Sequence, residues 1–404
     1  MRGLRVAVVG GGLGGLCLAQ GLTKTGADVT VYERDPTPAG RRQGYRLHVD
    51  ARAGLALGRC LPPELFELFV ATCASASKRF TVVSEKLREL HHVDGDPTVD
   101  PYAAATLATS VNRQTLREVL GAGLGERIVY GCELTRYEAD GKGVRLYFAD
   151  GHEAEAELLV GADGVNSAVR RQYLPQAAVV DTGSASIYGK TPLTEEALKL
   201  VPPALLDGFV AVIGDRIGMA TGLVRLRKRP EEASAVLSPV QDYLMWAVTG
   251  QTKHFGVPEA RLTGLDAAGL HAVAAKLIKS WHPDLRALHA MADVDETFLA
   301  RIRTSTPTLA WEPSRVTVLG DAIHAMSPAR GSGANTALQD AGQLCRVLTE
   351  AAPGDSGLLA AIGEYEAGMR EYGYAAVEAS RQAEAETGAR HNGLMFWLYR
   401  HLSR

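Results

Sequence analysis

Gly10, Gly12 and Gly15 stand in the spacing Gly-x-Gly-x-x-Gly within "VVGGGLGGLCLAQGL". Glycines so spaced after a strand can hold a pyrophosphate through the backbone alone. The first permits a tight turn, the second lets the phosphates approach, and the third brings helix and strand close. Leu13 and Gly14 complete the loop, and the free N–H groups of the helix start attract negative charge. Glu33, at the end of "DVTVYE", stands where a carboxylate accepts hydrogen bonds from ribose hydroxyls. A 2′-phosphate would be repelled there, so the expected nucleotide is FAD or NAD rather than NADP. Arg34, directly after it, is grouped with the cofactor-binding candidates.

Two later stretches offer similar chemistry. In "AELLVGADG", Asp163-Gly164 follows a buried strand, where open α/β sheets place their ligands. The bland alternative is a turn that caps the next helix. In "VLGDAIHAMSPARGSGANTALQDAGQL", Asp321 follows a glycine, Pro328 stiffens a loop, and Gly331 and Gly333 let backbone approach a flat ring. Ala334 and Asn335 would then offer N–H groups at a helix start. His324 is read as a structural histidine bonded to backbone rather than as a general base. His91-His92 reads as a solvated loop. No catalytic side chain and no metal site is assigned.

These residues need elements to position them. "LRVAVVG" reads as a buried strand, and the segment after the glycines has apolar residues at helical spacing. "SVNRQTLREVL" reads as a capped helix starting near Asn112, with Arg113 in its first turn. That arginine is either solvated or reaches a bound dinucleotide. From Ile128 the period changes to two, with Asp140-Gly141 and Asp150-Gly151 as turns, which predicts a β-meander. Between Tyr173 and Ala300 lie mixed strands and one helical run, "DAAGLHAVAAKLIKSW". Met219, Leu223, Met245 and Trp246 are candidates to line an apolar pocket there, plain core being the alternative, and His48 is a candidate to face substrate or flavin.

Composition restricts the function classes. The 404 residues carry 43 basic and 46 acidic groups, a net charge of −3, so no electrostatic case for nucleic acid exists. The cysteines at 17, 60, 73, 132 and 345 form no CxxC pair, which argues against a disulfide frame or zinc site and for reduced cytoplasmic thiols. No apolar run is long enough for a membrane span. The terminal "GLMFWLYRHLSR" reads as a helix docking on the body, the alternative being a membrane-surface patch.

In order, "VVGGGLGGLCLAQGL…VYERD", "LLVGADGVNSAVR" and "VTVLGDAIHAMSPARGSGANTALQDAGQL" resemble the FAD-dependent monooxygenases of the p-hydroxybenzoate hydroxylase type. "GYRLHVDARAG" and "SVNRQTLREVL" are locally similar to the tetracycline-inactivating members. The resemblance implies a Rossmann-like FAD-binding domain, an α/β fold with an α+β insertion, a β-sheet substrate domain and a C-terminal helix. Its segments would be 1–172 and 301–350 for FAD, 173–300 for substrate and 351–404 for the helical end. It places Gly10, Gly12 and Gly15 at the FAD pyrophosphate, Glu33 at the adenosine ribose, and Arg113 on FAD. Arg41 or Arg42 would lie near the flavin, Asp163 at FAD and nicotinamide, and Asp321 at the ribityl chain or pyrophosphate. The implied activity uses NADPH or NADH transiently, with O2, and oxygenates a small aromatic or polyketide-like molecule through a flavin C4a-hydroperoxide. Hydroxylation, epoxidation and Baeyer–Villiger insertion stay open, as do a flavin-dependent reductase and a non-catalytic FAD-containing binding protein. Ser332 replaces a glutamine common in the family, which bears on the pocket beside the ring.

Overall fold

The computed structural model describes residues 3–38, 44–206 and 208–390. Arg41, Arg42 and the aromatic–basic stretch after residue 392 lie outside the described residues.

The strand read from "LRVAVVG" spans Arg5–Val9 and has four of its five residues buried. It is central in a five-stranded parallel sheet, flanked by Leu158–Gly161 and Asp28–Glu33, with Val316–Val318 and Ile128–Tyr130 at the edges. Such central strands are covered on both faces, so an unbroken apolar run serves them better than an alternating one. The helix Leu13–Lys24 buries ten of its residues between this sheet and the helices Ala51–Cys60 and Gly333–Glu350. The predicted meander is a three-stranded antiparallel sheet, Leu134–Ala139, Val144–Phe148 and Glu153–Ala156. Both of its Asp-Gly turns place the glycine at positive φ, +83° and +88°.

A second sheet of seven strands runs in the order Phe298–Ser305, Val179–Pro192, Tyr243–Gln251, Ile217–Val224, Gly208–Ile213, Arg79–Ser84 and Glu89–Asp94. The last two come from within the first 172 residues, because Arg79–Ser84 pairs in parallel with Gly208–Ile213. Phe298–Ser305 likewise runs past residue 300 along Val179–Pro192. Sheet membership therefore crosses the segment limits expected from the sequence. His91 and His92 lie on the outer strand Glu89–Asp94, not in a loop, and His92 bonds Glu89 at 2.7 Å.

Strand alternation gives the large sheet two faces. Val210, Val212, Met219, Leu244, Trp246 and Val248 pack against the helices Ala267–Leu277 and Pro283–Ala290. Tyr243, Met245, Ala247 and Val224 lie on the opposite face. The helix Asp355–Arg390 lies along Gly333–Glu350. Among the described residues no helix is long and apolar enough to cross a membrane, and all five cysteines are buried thiols.

Candidate cofactor and substrate cleft

A cleft of about 1750 Å³ lies between the parallel sheet and the seven-stranded sheet. The glycine loop forms one end. Gly10 takes φ +110°, and a Cβ there would stand 2.3 Å from the Ala162 carbonyl oxygen. A Cβ on Gly15 would stand 2.1 Å from the Gly10 carbonyl oxygen, whereas one on Gly12 would meet nothing within 4 Å. The first and third glycines are thus required by the protein itself. The second faces open cleft, as a residue does that leaves room for a phosphate. The helix ladder begins with the bond from Leu16 N–H to Gly12 carbonyl, so the N–H groups of Leu13, Gly14 and Gly15 precede it.

Glu33 is buried and works locally: its two oxygens accept from the N–H groups of Gly11, at 2.8 Å, and Asp35, at 2.9 Å. Each oxygen keeps a lone pair for a hydroxyl. Arg34 is exposed at the cleft rim. The sequence reading missed Arg117. Its guanidinium donates to the carbonyls of Gly11 at 3.0 Å and Pro38 at 2.9 Å, and lies 3.6 Å from Glu33. The available signal was its spacing of four from Arg113, which puts both on one helix face. Asn112 caps that helix, Arg113–Gly121, as expected, through Gln114 and Thr115 N–H. Arg113 borders the cleft over the Tyr45 ring, 5.8 Å from its centroid.

Asp163 serves the start of the following helix, the bland reading weighed for it, and also borders the cleft. One oxygen accepts from Ala168 and Val169 N–H, at 2.7 and 3.2 Å, at the start of the following helix. The other is buried with no partner. Burial pushes this carboxyl up, opposed by those hydrogen bonds and by Ser167.

The late stretch forms the other end. Gly320 sits at φ +63°, and its N–H donates to Asp340 at 2.7 Å. Asp321 opens into the cleft yet is ringed by protein. That enclosure pushes its carboxyl up, opposed by His324 and Arg113 and reinforced by Asp340. Pro328–Arg330 form a short 3-10 turn ending at Gly331, φ +61°. In the next helix the first ladder bond runs from Thr336 N–H to Ser332 carbonyl. The N–H groups of Gly333, Ala334 and Asn335 therefore precede it, a donor set aimed where negative charge is stabilised. The Asn335 side chain has a further role: it accepts from Asp50 N–H at 2.9 Å and donates to the His48 and Gly331 carbonyls at 3.0 and 3.1 Å. This stitches the loop to the strand Arg46–Asp50. Ser332 lies 3.5 Å from the Arg52 guanidinium.

His324 is structural, but its partner is a carboxylate rather than backbone. Nε2 lies 2.6 Å from the Asp340 carboxylate, both side chains being fully buried. Burial would lower its pKa, yet the charge and hydrogen bond of Asp340 overcome that and raise it. Asp340 also accepts from the Tyr372 hydroxyl at 2.7 Å, so one acid ties the Gly-Asp loop to the C-terminal helix.

On the roof, period-two alternation separates the expected pocket residues. Met245 shares the cleft-side face with Tyr243 and Ala247. Met219, which also borders the cleft, packs in the helix-side core with Trp246, and Leu223 packs against that core. Trp246 and Leu223 are core, not lining. His48 does line the cleft, its Cβ 3.8 Å from where a Cβ on Gly331 would stand. Burial, then Arg46, lowers its pKa against the pull of Asp50, so the ring is neutral at pH 7.

Two family models match the chain: an FAD binding domain over residues 273–380 and an NAD(P)-binding Rossmann-like domain over 8–59. A crystal structure from Photorhabdus luminescens, assigned as an FAD containing monooxygenase, is 32% identical with a TM-score of 0.80. It covers 94% of this chain and 98% of that one. A dual O-methyltransferase/FAD-dependent monooxygenase of Phaeosphaeria nodorum is 33% identical over 396 residues, 86% of this chain and 40% of its own length. The chain thus spans well under half of that relative. The 6-hydroxynicotinate 3-monooxygenase of Pseudomonas fluorescens is 28% identical, covering 91% of this chain and 88% of the relative.

Proposed function

Because the chain belongs to the FAD-dependent monooxygenases, we propose that it uses NADPH or NADH and O2 to put one oxygen atom on a small aromatic or polyketide-like substrate, by hydroxylation. The balance is substrate C–H, O2, NAD(P)H and a proton giving substrate C–OH, water and NAD(P)+. The observation that carries this reading is the convergence of the glycine loop, Asp321 and the helix start at Gly333 on one cleft roofed by a largely apolar sheet face. A partnerless buried Asp163 oxygen and the open face of Gly12 fit a dinucleotide. FAD, when bound, supplies the electron transfer and oxygen activation.

The chain's own residues do the rest. Gly10, Gly12, Leu13, Gly14 and Gly15 hold the pyrophosphate, Glu33 holds the ribose, and Arg113, Asp163 and Asp321 face the linker. Gly333, Ala334 and Asn335 present backbone N–H beneath the ring, Gly331, whose own N–H is bonded to the Pro328 carbonyl, lets the loop backbone approach it, and Pro328 stiffens that loop. Met245 and its neighbours exclude water from above. His48, with Met219 at the margin, completes the substrate side. A cytoplasmic setting belongs to this proposal, supported by the five buried thiols.

The test is direct. Protein from flavin-replete cells should be yellow, and NAD(P)H consumption should rise with an accepted phenol or polyketide. A colourless protein, or oxidation indifferent to a broad substrate panel, would sink the reading; oxygen-independent turnover would favour a reductase. His48→Gln should leave flavin content unchanged and lower kcat/KM about tenfold, the scale of one hydrogen bond. An unchanged kcat/KM would remove His48 from the substrate side.

A further inference from the structure

Arg46 is 7% exposed, and its guanidinium has no hydrogen-bond or ion-pair partner among the described residues. It begins the strand Arg46–Asp50 and crosses to the roof. There its Cδ lies 2.5 Å from where a Cβ on Gly222 would stand, and its guanidinium sits 5.2 Å from the Phe209 ring centroid. The residue borders the cleft together with His48, two positions along the same strand face. The acids of this neighbourhood are already engaged: Asp50 with Arg52 at 2.7 Å, and Glu296 with Lys190 at 3.2 Å. Tyr243 is neutral because burial raises its pKa, and burial together with Arg46 itself lowers that of His48. Burial draws the arginine down to about 10, so it is still a cation at neutral pH.

A buried charge without a counterion is costly, and proteins keep one where a ligand completes it. Two features make this cation reachable. Gly222, a residue without a side chain, is what lets the arginine stem lie flat on the sheet. Gly218 and Ala220, on the same strand, leave space beside it along the roof. The flavin-side donors are a different group, the helix start at Gly333 below.

We propose that Arg46 anchors an anionic oxygen of the substrate, a carboxylate or an ionised ring hydroxyl, and so sets the enzyme's preference for acidic aromatic molecules. This rests on the reading that the cleft takes an aromatic substrate. The guanidinium fork accommodates two parallel hydrogen bonds to such an oxygen pair. Phe209 lies against the fork, and the ring of the bound molecule would run from there along Gly218, Ala220 and Met245.

The experiment uses calorimetric titration of the FAD-loaded protein with matched pairs. 1-Hydroxy-2-naphthoate is compared with 1-hydroxy-2-naphthamide, and 2,4-dinitrophenol, ionised at neutral pH, with 2,4-dinitroanisole. Wild type should bind one or both anions roughly tenfold or more tightly than the neutral partner, the scale of a charge-assisted hydrogen bond. The pair that shows the preference identifies the anion as carboxylate or phenolate. Arg46→Gln should reduce that preference to within about twofold, and Arg46→Lys should restore part of it. Both variants should keep full flavin content, and Arg46→Gln should melt no lower than wild type, because it removes an uncompensated buried charge. Equal affinity for both members in wild type, or a preference that survives Arg46→Gln, overturns the proposal while leaving the monooxygenase reading intact. Loss of FAD in Arg46→Gln would assign the residue to the cofactor and overturn it too. Failure of both aromatic pairs to bind at all overturns the proposal together with the aromatic-substrate reading on which it rests.

Discussion

Asp340→Ala is expected to be the most damaging single change, lowering stability by about 3–5 kcal/mol, the cost of leaving a buried charge without its partner. Three donors converge on that carboxylate: Gly320 N–H, His324 Nε2 and the Tyr372 hydroxyl. Its removal orphans all three in an interior closed to water. Gly320 is the turn at φ +63° that delivers Asp321 to the cleft, so flavin content should fall along with the melting temperature. Differential scanning calorimetry and the flavin-to-protein absorbance ratio check both. A variant within about 1 kcal/mol of wild type, the range of an ordinary exposed pair, would show that the acid is dispensable. The pH dependence has a definite sign. The folded His324 pKa lies above the unfolded value of about 6.5, raised by Asp340 against burial. This contribution is therefore complete below about pH 6.5 and is lost as pH rises through the folded value. Asp340→Asn should flatten the alkaline decline.

The second large effect separates fold from ligand inside the glycine loop. Gly15→Ala drives a methyl to 2.1 Å from the Gly10 carbonyl oxygen, so the loop must open. We expect about 1–3 kcal/mol or more of destabilisation, as for other overpacked sites. Gly12→Val places its side chain in open cleft. That protein should melt within a few degrees of wild type but bind FAD on the order of 100-fold more weakly, about 2.7 kcal/mol, because the side chain occupies phosphate space. Fluorescence titration of the apoprotein with FAD measures the second effect and thermal unfolding the first. Full FAD affinity in Gly12→Val would move the pyrophosphate elsewhere.

The contrast between these two glycines shows how far the sequence could be read. Spacing and neighbouring elements were enough to expect the tight turn at Gly10 and the close approach at Gly15, because backbone geometry in a strand–loop–helix turn is local. The same holds for the Asn112 cap and the two Asp-Gly turns. Met219, Leu223 and Trp246 show where local reading stops. A strand's two faces are identical in pattern when both are buried, so only the helices packed beneath the sheet decide which residues are core and which meet the cleft. Met245 falls on the cleft side for that reason alone.

By itself, then, the sequence determined the parallel core, the strand–loop–helix turn with its ordered glycines, and the family those motifs resemble. Each depends on residues a few positions apart. The tertiary structure decided the partners of charges. His324 meets Asp340 sixteen residues away across a helix face, Arg117 grips a loop 106 residues upstream, and Arg46 meets a sheet but no acid. Charge pairing in an interior depends on which distant elements close over a side chain, and no spacing along the chain encodes that. The arginine left without a counterion is the feature that points beyond the cofactor to what the cleft receives.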